Sequence, residues 1–144
     1  MTIKHTEWIT NPRILEINTW PWLGFLSETF NSPITLKNIP NKVFKKDIRH
    51  FDAVWLMGVW ERSPASKKIA LEHPDLLKEY HKALYDFRDE DVVGSPYSIY
   101  YYHVDNHIGG VDGIKEVRKR LSEQDIRLIL DYVPNHVSID SLWT

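Results

Sequence analysis

The chain has 144 residues, of which 42% are hydrophobic and 26% charged, an ordinary composition for one globular domain with a core. Its net charge of −2 excludes the basic surface typical of nucleic-acid binding, and the lack of cysteine excludes disulfides and thiolate metal sites. No stretch approaches the ~20 apolar residues of a membrane span, and the N-terminus has no apolar leader. We therefore expect a cytoplasmic protein that binds neither nucleic acid nor membrane.

The first half of the chain contains two predicted strands. Residues 13–20 are rich in β-forming residues, and Pro21 is predicted to end the strand there. Prolines and glycine between residues 22 and 40 predict a loop, and residues 41–49 a short helix. Residues 52–60 are apolar almost throughout, which predicts a second, buried strand.

The second half begins with helical periodicity over residues 65–85, which Pro74 is expected to split into two helices. An aromatic run follows at residues 97–102, predicted as strand or loop, with one or two rings exposed to stack on a ligand. Asp112 is the expected N-cap of a helix over residues 113–123.

A third strand is predicted at residues 126–133, where a nearly continuous apolar run ends before Pro134. The alternation of strands and helices predicts an α/β fold with parallel strands, either as a small open sheet or as the front part of a larger one. Asp131, Asn135 and His136 then lie at the carboxyl end of a parallel strand, where ligands bind in α/β folds. A capping aspartate and a histidine bonded to backbone carbonyls are the structural alternative.

The sequence also bears on two other chemistries, metal binding and hydrolysis of a glycosidic bond. His103, Asp105 and His107 alternate, so an extended backbone would place three possible metal ligands on one face. Hydrolysis of a glycosidic bond needs two carboxyl groups flanking the bond. Only Asp131 lies at a predicted strand end, so the pair cannot be assembled from this chain.

Residues 131–136, Asp-Tyr-Val-Pro-Asn-His, resemble the first conserved motif of the α-amylase family, glycoside hydrolase family 13. The pattern of that motif is Asp-x-Val-x-Asn-His at the end of the third barrel strand. Residues 94–110 resemble the segment that precedes the motif in the family, and residues 14–20 and 52–60 are similar to its first and second strands.

The resemblance implies a partial (β/α)₈ TIM barrel, comprising about the first three parallel strands with their helices. Residues 1–144 would be the N-terminal portion of an α-amylase-like catalytic domain. The intact enzyme would be a retaining glycosidase that acts on α-glucosidic bonds in carbohydrate metabolism. In the family its catalytic carboxylates lie on later strands, so no catalytic residue is expected in this chain, and the chain alone is expected to be inactive.

By matching position, the resemblance implies that Tyr97 stacks on the sugar ring next to the scissile bond and that His136 binds the same sugar. Asp131 would be a supporting residue that orients its neighbours, and Asn135 matches a position that binds calcium in many members of the family. The implied partner is an α-glucan or α-glucoside, and calcium is the only cofactor implied.

A different class of function stays open beside this one, namely a non-catalytic carbohydrate-binding or interaction remnant of the same fold. An incomplete barrel also leaves apolar strand edges unpaired, which predicts self-association through the open edge of the sheet.

Overall fold

The computed structural model describes residues 7–143 of the chain. Its strands are β1 (Ile14–Asn18), β2 (Ala53–Met57), β3 (Trp60–Arg62), β4 (Ile99–Val104) and β5 (Arg127–Leu130). Its α-helices are α1 (Thr19–Thr29), α2 (Asn41–Val43), α3 (Pro64–Glu72), α4 (Pro74–Ala83) and α5 (Gly110–Ser122). A π-helical turn spans Phe44–Ile48, and 3₁₀ turns span Asp89–Asp91 and Asn106–Ile108.

The central feature is a parallel sheet in the order β1-β2-β5. Ile14 lies opposite Ala53, which in turn lies opposite Arg127, so the three strands start at the same level. Helices lie between successive strands along the chain, as parallel connections require. This arrangement confirms the predicted α/β class with a parallel sheet and is consistent with part of a barrel.

The hydrophobic core lies where this sheet meets α1, α2 and α5. Leu36, Leu56 and Leu121 are among its deepest side chains. Gly113 of α5 lies against the loop at Leu36, because a Cβ at position 113 would meet the Leu36 Cβ at 2.8 Å. This close approach allows α5 to pack directly against the loop.

Residues 19–29 correct the prediction from sequence. They were expected to complete a strand and continue as loop, but they form α1. Pro21 occupies the first turn of this helix, where a missing N–H costs nothing, so the proline is compatible with a helix start. The helix buries Leu23 and Leu26 in the core, and this packing stabilises the helical conformation.

The second predicted strand is also divided. β2 ends at Met57 because Gly58 adopts φ +69°, a left-handed conformation that breaks the extended chain. Trp60–Arg62 then pairs antiparallel with β4 in a separate two-stranded sheet. This small sheet and the helices α3 and α4 form a lobe inserted between β2 and β5, which we call the inserted lobe (residues 60–104).

Helix boundaries in the second half agree with the sequence in part. The predicted split at Pro74 is confirmed, with α4 beginning at that proline. The N-cap prediction was wrong, because α5 begins at Gly110 after Gly109, which adopts φ +115°, and Asp112 lies in its first turn. The third predicted strand is shorter than expected, since β5 ends at Leu130. Across residues 7–143, no helix combines the length and hydrophobicity needed to cross a membrane.

Candidate functional site

The candidate site lies where the carboxyl ends of β2 and β5 meet, since neighbouring parallel strands end at the same edge of a sheet. Asp131 is the first residue after β5 and is buried, with 8% of its surface exposed. Its Oδ1 accepts a hydrogen bond from Trp55 Nε1 at 2.7 Å, and its Oδ2 accepts one from the Gly58 N–H at 2.6 Å. Both oxygens therefore bind residues at the carboxyl end of β2.

The backbone of Asp131 adds a third connection, because Trp60 Nε1 donates to its carbonyl oxygen at 2.9 Å. Bonds between a carboxylate and N–H donors are stronger than neutral ones, which suits a structural junction. The predicted supporting role of Asp131 is compatible with this geometry, in which each carboxylate oxygen accepts one N–H hydrogen bond.

Tyr97 and His136 lie next to each other at this edge. His136 Nε2 is 3.1 Å from the Tyr97 carbonyl oxygen, which can only accept, so Nε2 carries the proton of this hydrogen bond. The Tyr97 hydroxyl donates to Met57 Sδ, at the end of β2, over 3.8 Å. The Tyr97 ring is 41% exposed and His136 is exposed as well. The His136 imidazole thus contacts the Tyr97 backbone, and both residues are exposed at this edge.

The backbone around Tyr97 is fixed by a short series of serine contacts. Ser95 Oγ accepts from the Tyr97 N–H at 3.3 Å, and its carbonyl accepts from the Ser98 N–H at 3.1 Å. Ser63, which precedes α3, donates its N–H to the Ser98 carbonyl at 2.9 Å. Tyr97 therefore lies on a turn within the inserted lobe, and this turn is bonded to the residue before α3.

The segment that carries His136 is attached to β4 on both sides. Before it, the Tyr102 hydroxyl accepts from the Val133 N–H at 2.8 Å and donates to the Val133 carbonyl at 3.2 Å. After it, Ser138 Oγ donates to the Ile99 carbonyl at 2.9 Å. The inserted lobe thus provides Tyr97 and also holds the segment that presents His136.

Asn135 is exposed between these two attachments. Calcium takes six to eight oxygen ligands, with carboxylates prominent among them. Residues 7–143 contain no group of three or more His, Asp or Glu side chains able to hold a metal ion. The described side chains therefore do not form a calcium site around Asn135 on their own.

The alternative metal cluster is not assembled either. His103 Nδ1 lies 3.1 Å from Glu61 Oε1, across the β3–β4 pair. His107 Nδ1 lies 2.8 Å from Asp105 Oδ1, and that carboxylate caps the 3₁₀ turn through the His107 N–H. The backbone turns after Val104, so the two histidines belong to separate pairs and the expected common face does not exist.

Several residues of the site were not predicted from the sequence. The apolar run over residues 52–60 predicts a strand through Met57 and Gly58, and nothing in the sequence pattern indicates a role for Arg62. A glycine inside an apolar run, followed by the charged pair Glu61-Arg62, is a signal of a strand break that could have been used.

A comparison with protein-family models identifies the family to which the chain belongs. The model of the alpha amylase catalytic domain matches residues 46–144, which include β2, the inserted lobe and the whole candidate site. No curated protein matches the chain at a significant level.

Two solved structures have the same fold as this chain over 92% of its length. The Eubacterium rectale protein Amy13B superimposes with a TM-score of 0.53 and 17% identity, and 20% of that chain is covered. The alpha-amylase GTA from Geobacillus thermoleovorans, in complex with acarbose, superimposes with a TM-score of 0.51 and 22% identity, and 25% of it is covered. The chain therefore spans a quarter or less of the length of these two proteins.

Proposed function

This chain belongs to the alpha-amylase catalytic-domain family, and from that premise we propose that it is the N-terminal part of a retaining glycosidase that acts on α-glucosidic bonds. The substrate would be an α-glucan or α-glucoside. The family match over residues 46–144 supports this function, because the matched region includes both strand ends that form the site.

The observation that carries the proposal is the proximity of Tyr97 and His136 at the carboxyl edge of the sheet. A pyranose ring has an apolar C–H face and a polar rim of hydroxyl groups. The exposed Tyr97 ring suits the apolar face, and His136 can accept a hydrogen bond from a hydroxyl through Nδ1. We assign these two residues to binding one glucosyl ring.

Asp131 is assigned to support and not to catalysis. A retaining mechanism needs a nucleophile and an acid/base carboxyl roughly 5 Å apart. Each oxygen of Asp131 accepts a hydrogen bond, from Trp55 and from Gly58, and the residue is buried, which suits support more than attack on a sugar. We expect the catalytic carboxylates to come from residues other than 1–144, and we expect this chain alone to bind sugar without hydrolysing it.

Calcium binding at Asn135 remains a prediction. The side chain offers one amide oxygen, and further ligands would have to come from backbone carbonyls, water or other segments. No step of the proposed function depends on the ion.

Titration with maltoheptaose, followed by isothermal calorimetry, tests the binding role. We expect saturable binding that weakens by about 1 kcal/mol in each of Tyr97→Ala and His136→Ala, because each removes one stacking or hydrogen-bonding contact. Tyr85→Ala is the matched control, since Tyr85 is 99% exposed and makes none of the contacts of the candidate site. Absence of binding, or equal affinity in all variants, would contradict the proposal.

The non-catalytic carbohydrate-binding alternative needs only the Tyr97–His136 site and no catalytic carboxylate. A reducing-sugar assay separates the two functions when it is applied both to this chain and to any longer product of the same gene. Binding without turnover in the longer product would support the alternative. Turnover by residues 1–144 alone would contradict the assignment of catalysis to other residues.

A further inference from the structure

We propose that Arg62 is a positioning residue that fixes the Tyr97 ring over the end of β2 by joining Gly58 to Gly94. The inference rests on the proposed function, because the position of the ring matters to binding only if the ring meets a sugar. Arg62 closes β3 and lies outside the residues that would contact the substrate.

The contacts of the guanidinium define this role. Arg62 Nη1 donates to the Gly94 carbonyl at 2.9 Å, and Nη2 donates to the Gly58 carbonyl at 3.4 Å. Gly94 precedes Tyr97 by three residues, and Gly58 directly follows Met57, whose sulfur accepts from the Tyr97 hydroxyl. One side chain therefore bridges the two backbone segments between which the Tyr97 side chain reaches.

Both segments approach closely, which makes the bridge sensitive to small changes. A Cβ at Gly58 would meet the Pro96 Cβ at 2.8 Å, and one at Gly94 would meet the Lys67 backbone nitrogen at 3.3 Å. The turn leading to Tyr97 is thus pressed against Gly58 on one side and α3 on the other. With the guanidinium absent, no other described side chain hydrogen-bonds the Gly94 or Gly58 carbonyl.

The Gly58 region is also fixed from the opposite side. Its N–H donates to Asp131 at 2.6 Å while its carbonyl accepts from Arg62. The interactions run from Asp131 through Gly58 and Arg62 to the turn that carries Tyr97. Arg62 is the link in this series that connects the parallel sheet to the sugar-binding ring.

The surroundings of Arg62 indicate that the side chain contributes little to the net stability of the fold. Its Nε is buried without a hydrogen-bond partner among the described residues, and its Cζ lies 5.1 Å from the centre of the Trp20 ring. Burial lowers the pKa of the Arg62 guanidinium, although the Asp105 carboxylate acts in the opposite direction. Buried charged groups often contribute little net stability compared with apolar side chains of similar size. If stability were its only role, an apolar replacement would leave the Tyr97 ring in place.

Met57 offers a direct readout of the ring position, because the chain has only two methionines, Met1 and Met57. With ¹³C-methyl methionine, the Met57 methyl resonance reports the ring current of Tyr97. Tyr97→Leu defines the resonance without the ring. We expect Arg62→Leu to move the Met57 signal toward that value, and Arg62→Lys, which has a single donor nitrogen in place of the two that form the bridge, to give an intermediate shift.

Binding of maltoheptaose supplies a second readout through a double-mutant cycle. Arg62→Leu should weaken binding roughly three- to tenfold in the unaltered background. In a Tyr97→Ala background the same substitution should have no further effect, because the ring that it positions is gone. Arg118→Leu, at an exposed position of α5, is the matched control and should leave both readouts unchanged.

The outcomes separate the two proposals. An unchanged Met57 signal in Arg62→Leu and Arg62→Lys, or additive effects in the cycle, would overturn the positioning role while leaving sugar binding intact. If Arg62→Leu does not fold by circular dichroism, Arg62→Lys alone decides in both assays. If the unaltered chain does not bind maltoheptaose, the proposed function fails and the role of Arg62 in binding fails with it, whatever the Met57 signal shows.

Discussion

Replacing Asp131 by asparagine tests the junction between the two strand ends most directly. The substitution keeps the size and shape of the side chain and changes one acceptor oxygen into an NH₂ group. In the structure both carboxylate oxygens accept from N–H donors, namely Trp55 Nε1 and the Gly58 backbone. An asparagine can accept from only one of them and must point its NH₂ group at the other.

The expected cost follows from these two contacts. A hydrogen bond to a charged group contributes about 1.5–3 kcal/mol, and a buried donor left without a partner costs about 1–3 kcal/mol. Since Asp131 is buried, water cannot easily replace the lost acceptor. These terms overlap, so we expect Asp131→Asn to lower the free energy of unfolding by about 2–4 kcal/mol.

Urea denaturation followed by tryptophan fluorescence measures this change, because Trp55 and Trp60 both bond to Asp131. Asp112→Asn is the matched control: its side chain is 77% exposed, and we expect a change within about 0.5 kcal/mol. A loss below about 1 kcal/mol for Asp131→Asn would refute the conclusion that both oxygens are engaged.

Three further predictions concern other parts of the molecule. The hydrogen bond donated by Ser63 lowers the pKa of Asp140 from its ordinary value of 3.8. The stability that this carboxylate contributes is therefore complete above pH 3.8 and is lost as the pH falls through the lowered pKa. Asp140→Asn should flatten the acid limb of the plot of urea midpoint against pH. Gly58→Ala should destabilise the chain by more than about 1 kcal/mol, because the position has φ +69° and the new Cβ would clash with Pro96; a change near zero in the same urea assay would contradict this. Ile14 is exposed on edge strand β1, and Ile14→Lys should reduce self-association in sedimentation velocity; equal, purely monomeric behaviour of both proteins would contradict the open-edge prediction.

The elements predicted correctly are those whose signal is local. Apolar runs identified the three parallel strands, and the proline at position 74 identified the break between α3 and α4. The failure at residues 19–29 came from weighting Pro21 as a strand terminator when it also fits a first helical turn. In that case burial of Leu23 and Leu26 decided between two locally acceptable conformations.

The site was predictable only in part, for a related reason. The strand pattern placed Asp131 and His136 at the carboxyl edge, and the family resemblance selected Tyr97 from the aromatic run. The structure brings all three to one edge. Their partners could not be predicted, because the bonds that fix them join residues far apart in sequence, such as Asp131 and Gly58, which are 73 positions apart. Arg62 is the clearest example, since only the fold shows that it lies between Gly58 and Gly94.

These long-range contacts give the inserted lobe a specific part in the proposed function. A three-stranded sheet alone would end in flexible loops at its carboxyl edge, and loops hold side chains less accurately than regular elements do. Here the Tyr97 turn is bonded to the residue before α3, and the His136 segment is bonded to β4 on both sides. The lobe therefore fixes the backbone on both sides of the candidate site before any ligand is present, which would lower the entropic cost of the proposed sugar binding. It follows that substitutions in β4 that leave the parallel sheet intact, such as Tyr102→Phe, should weaken sugar binding more than they weaken folding.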